Sequence, residues 1–160
     1  MFIPFDDLSN DARVWIYPAS RPFTETESAA IAQKLEAFIT QWTAHGASLN
    51  ASFSLPYNRF IVIALDENTQ AASGCSIDAS VRIIQELENT YDVTLLDKMN
   101  VSFKQGEFIT YKPLLDFKEM VKNKSVTENT VVFNHLVLYK GEFLSQWEVP
   151  AKDSWHARYF

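Results

Sequence analysis

The chain is poor in cysteine, glycine and proline: one, four and six residues respectively in 160. A lone thiol, Cys75, cannot close an intrachain disulfide, so the expected compartment is a reducing one. The glycines are Gly46, Gly74, Gly106 and Gly141, none within six residues of another. No G-x-x-x-x-G-K-S/T loop can be built from them, which excludes a P-loop cradle for nucleotide phosphates. Basic residues are also scarce. Fourteen Lys and Arg against twenty Asp and Glu leave a net charge of -6. Nucleic acids and anionic membranes, which need a basic face, are therefore not expected partners. No run of eighteen apolar residues occurs, and the opening MFIPFDDLSNDARV has acids where a signal peptide would carry lysines, so a cytoplasmic protein is expected. The three histidines, His45, His135 and His156, show no metal-ligand spacing, either with each other or with Cys75. Neither a metal nor a cofactor is expected.

What the chain does have is apolar substance: 47% hydrophobic and 14% aromatic residues, enough for one globular domain over 1–160 without a staple. RVWIY at 13–17 is short, β-branched and aromatic, and Pro18 ends it as a strand. Thr24 and Glu27 have capping-box spacing ahead of Ile31, Leu35, Phe38, Ile39 and Trp42, one apolar stripe of a helix over 25–45 stopped by Gly46. Strands follow at 49–55 and 59–66, and FIVIALD in the second reads as a strand covered on both faces. A second helix is predicted over 77–91, with Ile77, Val81, Ile84, Leu87 and Tyr91 inward. Asn100–Tyr111 reads as a hairpin about Gln105-Gly106, with Phe103 facing Phe108, and Pro113 opens a short third helix ending near Asn123. The last large element reads as a second hairpin, Val131–Tyr139 and Glu142–Val149, turning at Lys140-Gly141 and pairing residues whose numbers sum to 281.

The order strand, helix, strand, strand, helix, strand over 13–104 is that of a split βαβ, or ferredoxin-like, unit. The expected class is thus α+β, with a ferredoxin-like core extended by a helix and an antiparallel hairpin. That hairpin carries apolar residues on both faces, and together with an aromatic end segment this suggests a homodimer.

Chemistry-bearing residues concentrate in SGCSID, Ser73–Asp78. With Ser76 as N-cap, Cys75 would lie just outside the helix start, where free N–H groups and the positive end of the dipole favour a thiolate, and Gly74 leaves its approach open. His45, in line with Trp42 on the first helix, could act as its base, and Asp78 could orient that imidazole. Cys75, His45 and Asp78 are thus the candidate catalytic groups, and Ser73, Gly74, Ser76, Trp42 and Arg82 the candidate binding residues around them. Each has a plainer role: a small buried cysteine, a helix-end histidine complementing the dipole, an Asp78 paired with Arg82. In SWHARYF, Trp155, Tyr159 and Phe160 beside Arg158 suit an interface with another chain or docking on the chain's own core.

RVWIY (13–17), WTAHG (42–46), ASGCSIDAS (72–80), FNHLV (133–137) and WEVPAKDSW (147–155) resemble a group of short bacterial proteins often labelled "ABC transporter ATPase". The resemblance covers nearly the whole chain and implies a small bacterial protein, without bringing a catalytic role to Cys75, His45 or any other position. The label conflicts with the glycine count, since an ABC ATPase requires the phosphate loop that this chain cannot form. The favoured expectation is a non-enzymatic domain that binds a small molecule or a protein. The alternative is a thiol-dependent enzyme or redox-responsive protein centred on Cys75.

Overall fold

A computed structural model describes all residues, Met1–Phe160. The chain is α+β and forms two compact units: Met1–Leu96 with Leu138–Gly141, and Asp97–Val137 with Glu142–Phe160. It passes from one to the other three times, so the second unit is not a contiguous tail and no linker separates them.

In the first unit, β1 (Arg13–Pro18) leads to α1 (Glu25–Gln41), followed by the short strands β2 (Thr43–Ala44) and β3 (Ala47–Ser48), then β4 (Asn50–Ser54), β5 (Phe60–Asp66) and α2 (Gly74–Tyr91). β5 lies between β1 and β4 and is antiparallel to both. Central placement explains why FIVIALD has almost no polar position: Phe60 to Leu65 are all buried. Each of these side chains except Ala64 contributes roughly 1.5–3 kcal/mol by leaving water. The helices cover one face, where Ile31, Leu35 and Ile39 of α1 and Ile83, Ile84 and Leu87 of α2 join Ile61, Ile63 and Leu65 in the core.

Thr24 caps α1 as expected: its hydroxyl accepts from Glu27 N–H at 3.1 Å, while the Glu27 carboxylate accepts from Thr24 N–H at 3.0 Å. Arg21 grips the same carboxylate at 2.9 and 3.0 Å and, as the largest influence, holds it down at about 2. The helix is shorter than expected. Trp42 leaves the helical region at ψ 127, and Thr43–Ala44 instead pairs with Ala47–Ser48. His45 and Gly46, with φ of 51 and 77, form the two-residue turn between them. Gly46 is therefore a hairpin glycine rather than a helix stop, and His45 does not lie on α1.

The ferredoxin-like unit is not completed. α1 does connect two strands separated by a third, but the expected fourth strand, β6 (Asn100–Gln105), belongs to a different sheet. The free edge of β1 is met instead by Leu138–Gly141: Val14 N–H donates to Leu138 O at 2.9 Å, and Arg13 bridges to Tyr139.

The second unit is a four-stranded sheet in the order β7-β6-β8-β9, with β7 (Phe108–Pro113), β8 (Val131–Phe133) and β9 (Glu148–Pro150). α3 (Leu114–Lys122) follows Pro113 directly, and its Phe117 is buried with Val101, Phe103, Val126, Val132 and Ala151. The turn of the first hairpin is displaced by one residue, which shifts every pairing by two. Its turn is Gly106-Glu107, so Phe103 pairs with Thr110 and Phe108 with Gln105. Phe108 is thereby left 79% exposed, not packed against Phe103.

The second expected hairpin does not form, although its register does. Val131–Pro150, Val132–Val149 and Phe133–Glu148 all obey the sum 281, and Asn134 N–H donates to Trp147 O at 2.6 Å. Beyond that pair the strands part. The Asn134 side-chain oxygen accepts from Leu136 N–H at 3.1 Å, bending the chain at His135–Leu136. Lys140 then begins α4 (Lys140–Gln146) and buries its ammonium on the Phe5 and Leu8 carbonyls, both at 2.7 Å. Gly141 sits close to the Asn10 backbone, where a Cβ would lie 3.3 Å from Asn10 O and press that neighbour aside by a few tenths of an ångström. The two apolar hairpin faces from which a homodimer was expected thus do not exist. No helix is long and apolar enough to cross a membrane.

Candidate functional site

α2 begins three residues earlier than its apolar pattern indicates. Ser73, not Ser76, is the N-cap: its hydroxyl accepts from Ser76 N–H at 3.1 Å, and Ser76 Oγ accepts from Ser73 N–H at 2.7 Å. Cys75 therefore occupies the second position of the helix, and it is exposed, which removes the reading of a buried structural thiol. Ser76 and Ser80, rather than Ile77 and Val81, face inward, and small side chains at these positions let the helix pack closely. The Ser76 carbonyl accepts from the buried Trp42 indole N–H at 2.9 Å. That bond ties the end of α1 to the start of α2 across 34 residues of sequence.

Trp42 is also the hub of an aromatic surface, with Phe38 at 5.3 Å and Trp15 at 6.5 Å between ring centroids. Between this surface and the α2 start lies a cleft of about 410 Å³. Phe38, Trp42 and Ala79 supply its apolar wall, while Gln41, Thr43, His45, Ser73, Cys75 and Ser76 supply polar groups. The positive-φ turn carries His45 to this cleft, so Cys75 and His45 line one pocket although their backbone setting differs from that expected.

The other candidates fall outside it. Gly74, Asp78 and Arg82 do not line the cleft; Asp78 and Arg82 are exposed on α2 and form no ion pair. No carboxylate lines the cleft, so a third group of the aspartate type is missing there, and Gln41 is its only side-chain amide. Phe38, Gln41, Thr43 and Ala79 were not among the candidates. Phe38 was legible only as part of the core stripe, and the other three carried no signal.

Trp155, Tyr159 and Phe160 lie in the second unit. Trp155 and Tyr159 pack on its core, and the Phe160 ring meets Phe117 edge-on at 6.3 Å, so the segment docks within its own unit. Between Trp155 and Phe117 sits His156, completely buried, stacked on the indole at 3.8 Å. Burial, followed by the nearby His135, pushes its pKa down to about 3. No cluster of three metal-ligating side chains occurs.

These two sites cannot be assigned by similarity: no family model matches the chain, and neither a curated protein nor a solved structure matches it.

Proposed function

We propose that the protein is a binding domain whose ligand occupies the cleft at the start of α2. The ligand is a small molecule, or a side chain of a partner protein, that presents a flat apolar group to Phe38 and Trp42 and polar atoms to His45, Ser73 and Gln41. The observation that carries this reading is the cleft itself: an aromatic wall facing convergent polar groups, the usual composition of a small-ligand site. Nucleotide hydrolysis of the P-loop type is not part of it, since the sequence has no phosphate loop. The test is a titration of 15N-labelled protein with indole and phenylacetate as probes. Shifts confined to residues 38–45 and 73–79 support the proposal, and absence of shifts there rejects it.

A second reading, thiol chemistry at Cys75, is favoured by one specific observation: this cysteine is exposed and shares its cleft with an imidazole. Iodoacetamide labelling of wild type and His45→Asn at pH 7 separates the two. Asparagine tolerates the positive φ of position 45, so the variant removes the imidazole and keeps the turn. A several-fold slowing supports an activated thiol; equal rates support binding alone.

A further inference from the structure

His156 sits in the last helical turn, Trp155–Tyr159, fully buried, with its ring between Phe117 of α3 and the Trp155 indole. Nδ1 lies 2.5 Å from Ser154 Oγ, and that hydroxyl also accepts from His156 N–H at 3.1 Å. Nε2 has no hydrogen-bond partner, and neither has the buried Trp155 indole N–H on which the ring stacks. A neutral imidazole can occupy such a site. An imidazolium cannot, because both ring nitrogens become donors and Nε2–H would be left charged, dry and unbonded.

The indole face is the only stabilising neighbour for a charged ring, and no ion pair adds to it. From the loop after β8, His135 packs edge-on against Trp155 at 5.6 Å and opposes a charge on His156. Lys98, ahead of β6, acts in the same sense on His135. From α3, Lys118 places its ammonium 5.0 Å from the Tyr159 ring, while Asp116 and Glu119 are exposed. On the segment itself, Asp153 and Arg158 are exposed as well. No carboxylate figures among the groups that shift His156.

We propose that the segment Ser154–Phe160 is an acid-released latch: protonation of His156 expels it from the second unit and bares the apolar surface around Phe117 and Ala151. The sign follows from linkage. The latched state holds His156 neutral down to about 3, whereas the released state protonates near the ordinary 6.5. Above about pH 6.5 the latch is unaffected; below it the released fraction rises about tenfold per pH unit, roughly a hundredfold by pH 4.5. Burial also lowers the His135 pKa, which adds to the slope in the same direction.

The test is hydrogen exchange of the His156–Phe160 amides and the Trp155 indole N–H from pH 7.5 to 4.5, corrected for intrinsic pH dependence. The β5 amides report on the first unit. The expected result is a steep acid-dependent loss of protection in the segment while β5 stays protected, abolished in His156→Phe, whose ring fits between Phe117 and Trp155. Protection retained at pH 4.5, simultaneous loss in β5, or release of His156→Phe at the wild-type pH overturns the proposal. If that variant does not fold, the wild-type His156 ring resonance decides. A ring that titrates near pH 6.5 with the segment still protected overturns the latch, and one that titrates only as protection is lost supports it.

Discussion

Replacing Trp42 by phenylalanine removes the bond that joins the two walls of the cleft. The indole N–H to Ser76 carbonyl contact is buried, at 2.9 Å, and Trp42 belongs to the core of the first unit. The Ser76 carbonyl keeps its intrahelical bond within α2, so loss of the indole donor costs the net worth of one hydrogen bond, about 1–1.5 kcal/mol. The smaller ring also withdraws two carbons from a packed site, about 1.5 kcal/mol at ~0.8 kcal/mol per buried carbon. Together the expected destabilisation is about 3 kcal/mol, a fall in melting temperature of roughly 6–12 °C for a chain of this size. Urea unfolding followed by circular dichroism measures it. Hydrogen exchange of the Ser76–Ser80 amides shows whether the loss is centred on the start of α2. A change under about 0.5 kcal/mol, with those amides unaffected, would refute the reasoning: α2 would then be positioned by sheet packing alone, and Trp42 would be only one wall of the cleft.

His45→Ala should cost about 1 kcal/mol more than His45→Asn, because alanine is strained at a φ of 51; equal melting temperatures would contradict the turn assignment. Lys140→Met strands the Phe5 and Leu8 carbonyls and should destabilise by about 3 kcal/mol in urea unfolding, since breaking a buried charged contact leaves its partners unsatisfied. Lys124→Gly, at a φ of 62, should raise the stability measured in urea by about 0.5–1 kcal/mol. Light scattering at high concentration should give the 18.3 kDa monomer, and a dimer mass would contradict that expectation.

Elements whose signal is local were legible in the sequence. The Thr24–Glu27 capping box, the buried strand FIVIALD and the register of Val131 with Pro150 follow from residue type and spacing, and the structure reproduces them. What could not be read was set by long-range contacts. The Lys140-Gly141 pair has the composition of a hairpin turn, but the carbonyls that capture its ammonium are over 130 residues away in sequence. Ser76 and Ser80 face inward, and the tryptophan that follows α1 bonds the Ser76 carbonyl, a partner that apolar periodicity along α2 does not register. For the same reason the neighbourhood of Cys75 and His45 was legible while their geometry was not. Both residues were placed relative to helix ends, but the chain makes a tight hairpin at one and starts its helix early at the other. His156 gave no signal beyond its aromatic neighbours, because its significance lies in a missing hydrogen-bond partner.

Cys75 is the only cysteine and it lines the cleft, so it offers a direct test of the binding proposal. Wild-type protein is equilibrated with a panel of small disulfides under partly reducing conditions, and capture at Cys75 is read by intact mass. Binding by Phe38 and Trp42 predicts that aromatic disulfides are retained at least tenfold over aliphatic ones of equal size, about 1.4 kcal/mol of added contact, and that Phe38→Ala erases the preference. Capture indifferent to the fragment's chemistry, or a preference unchanged by Phe38→Ala, would contradict the assignment of the cleft as the ligand site.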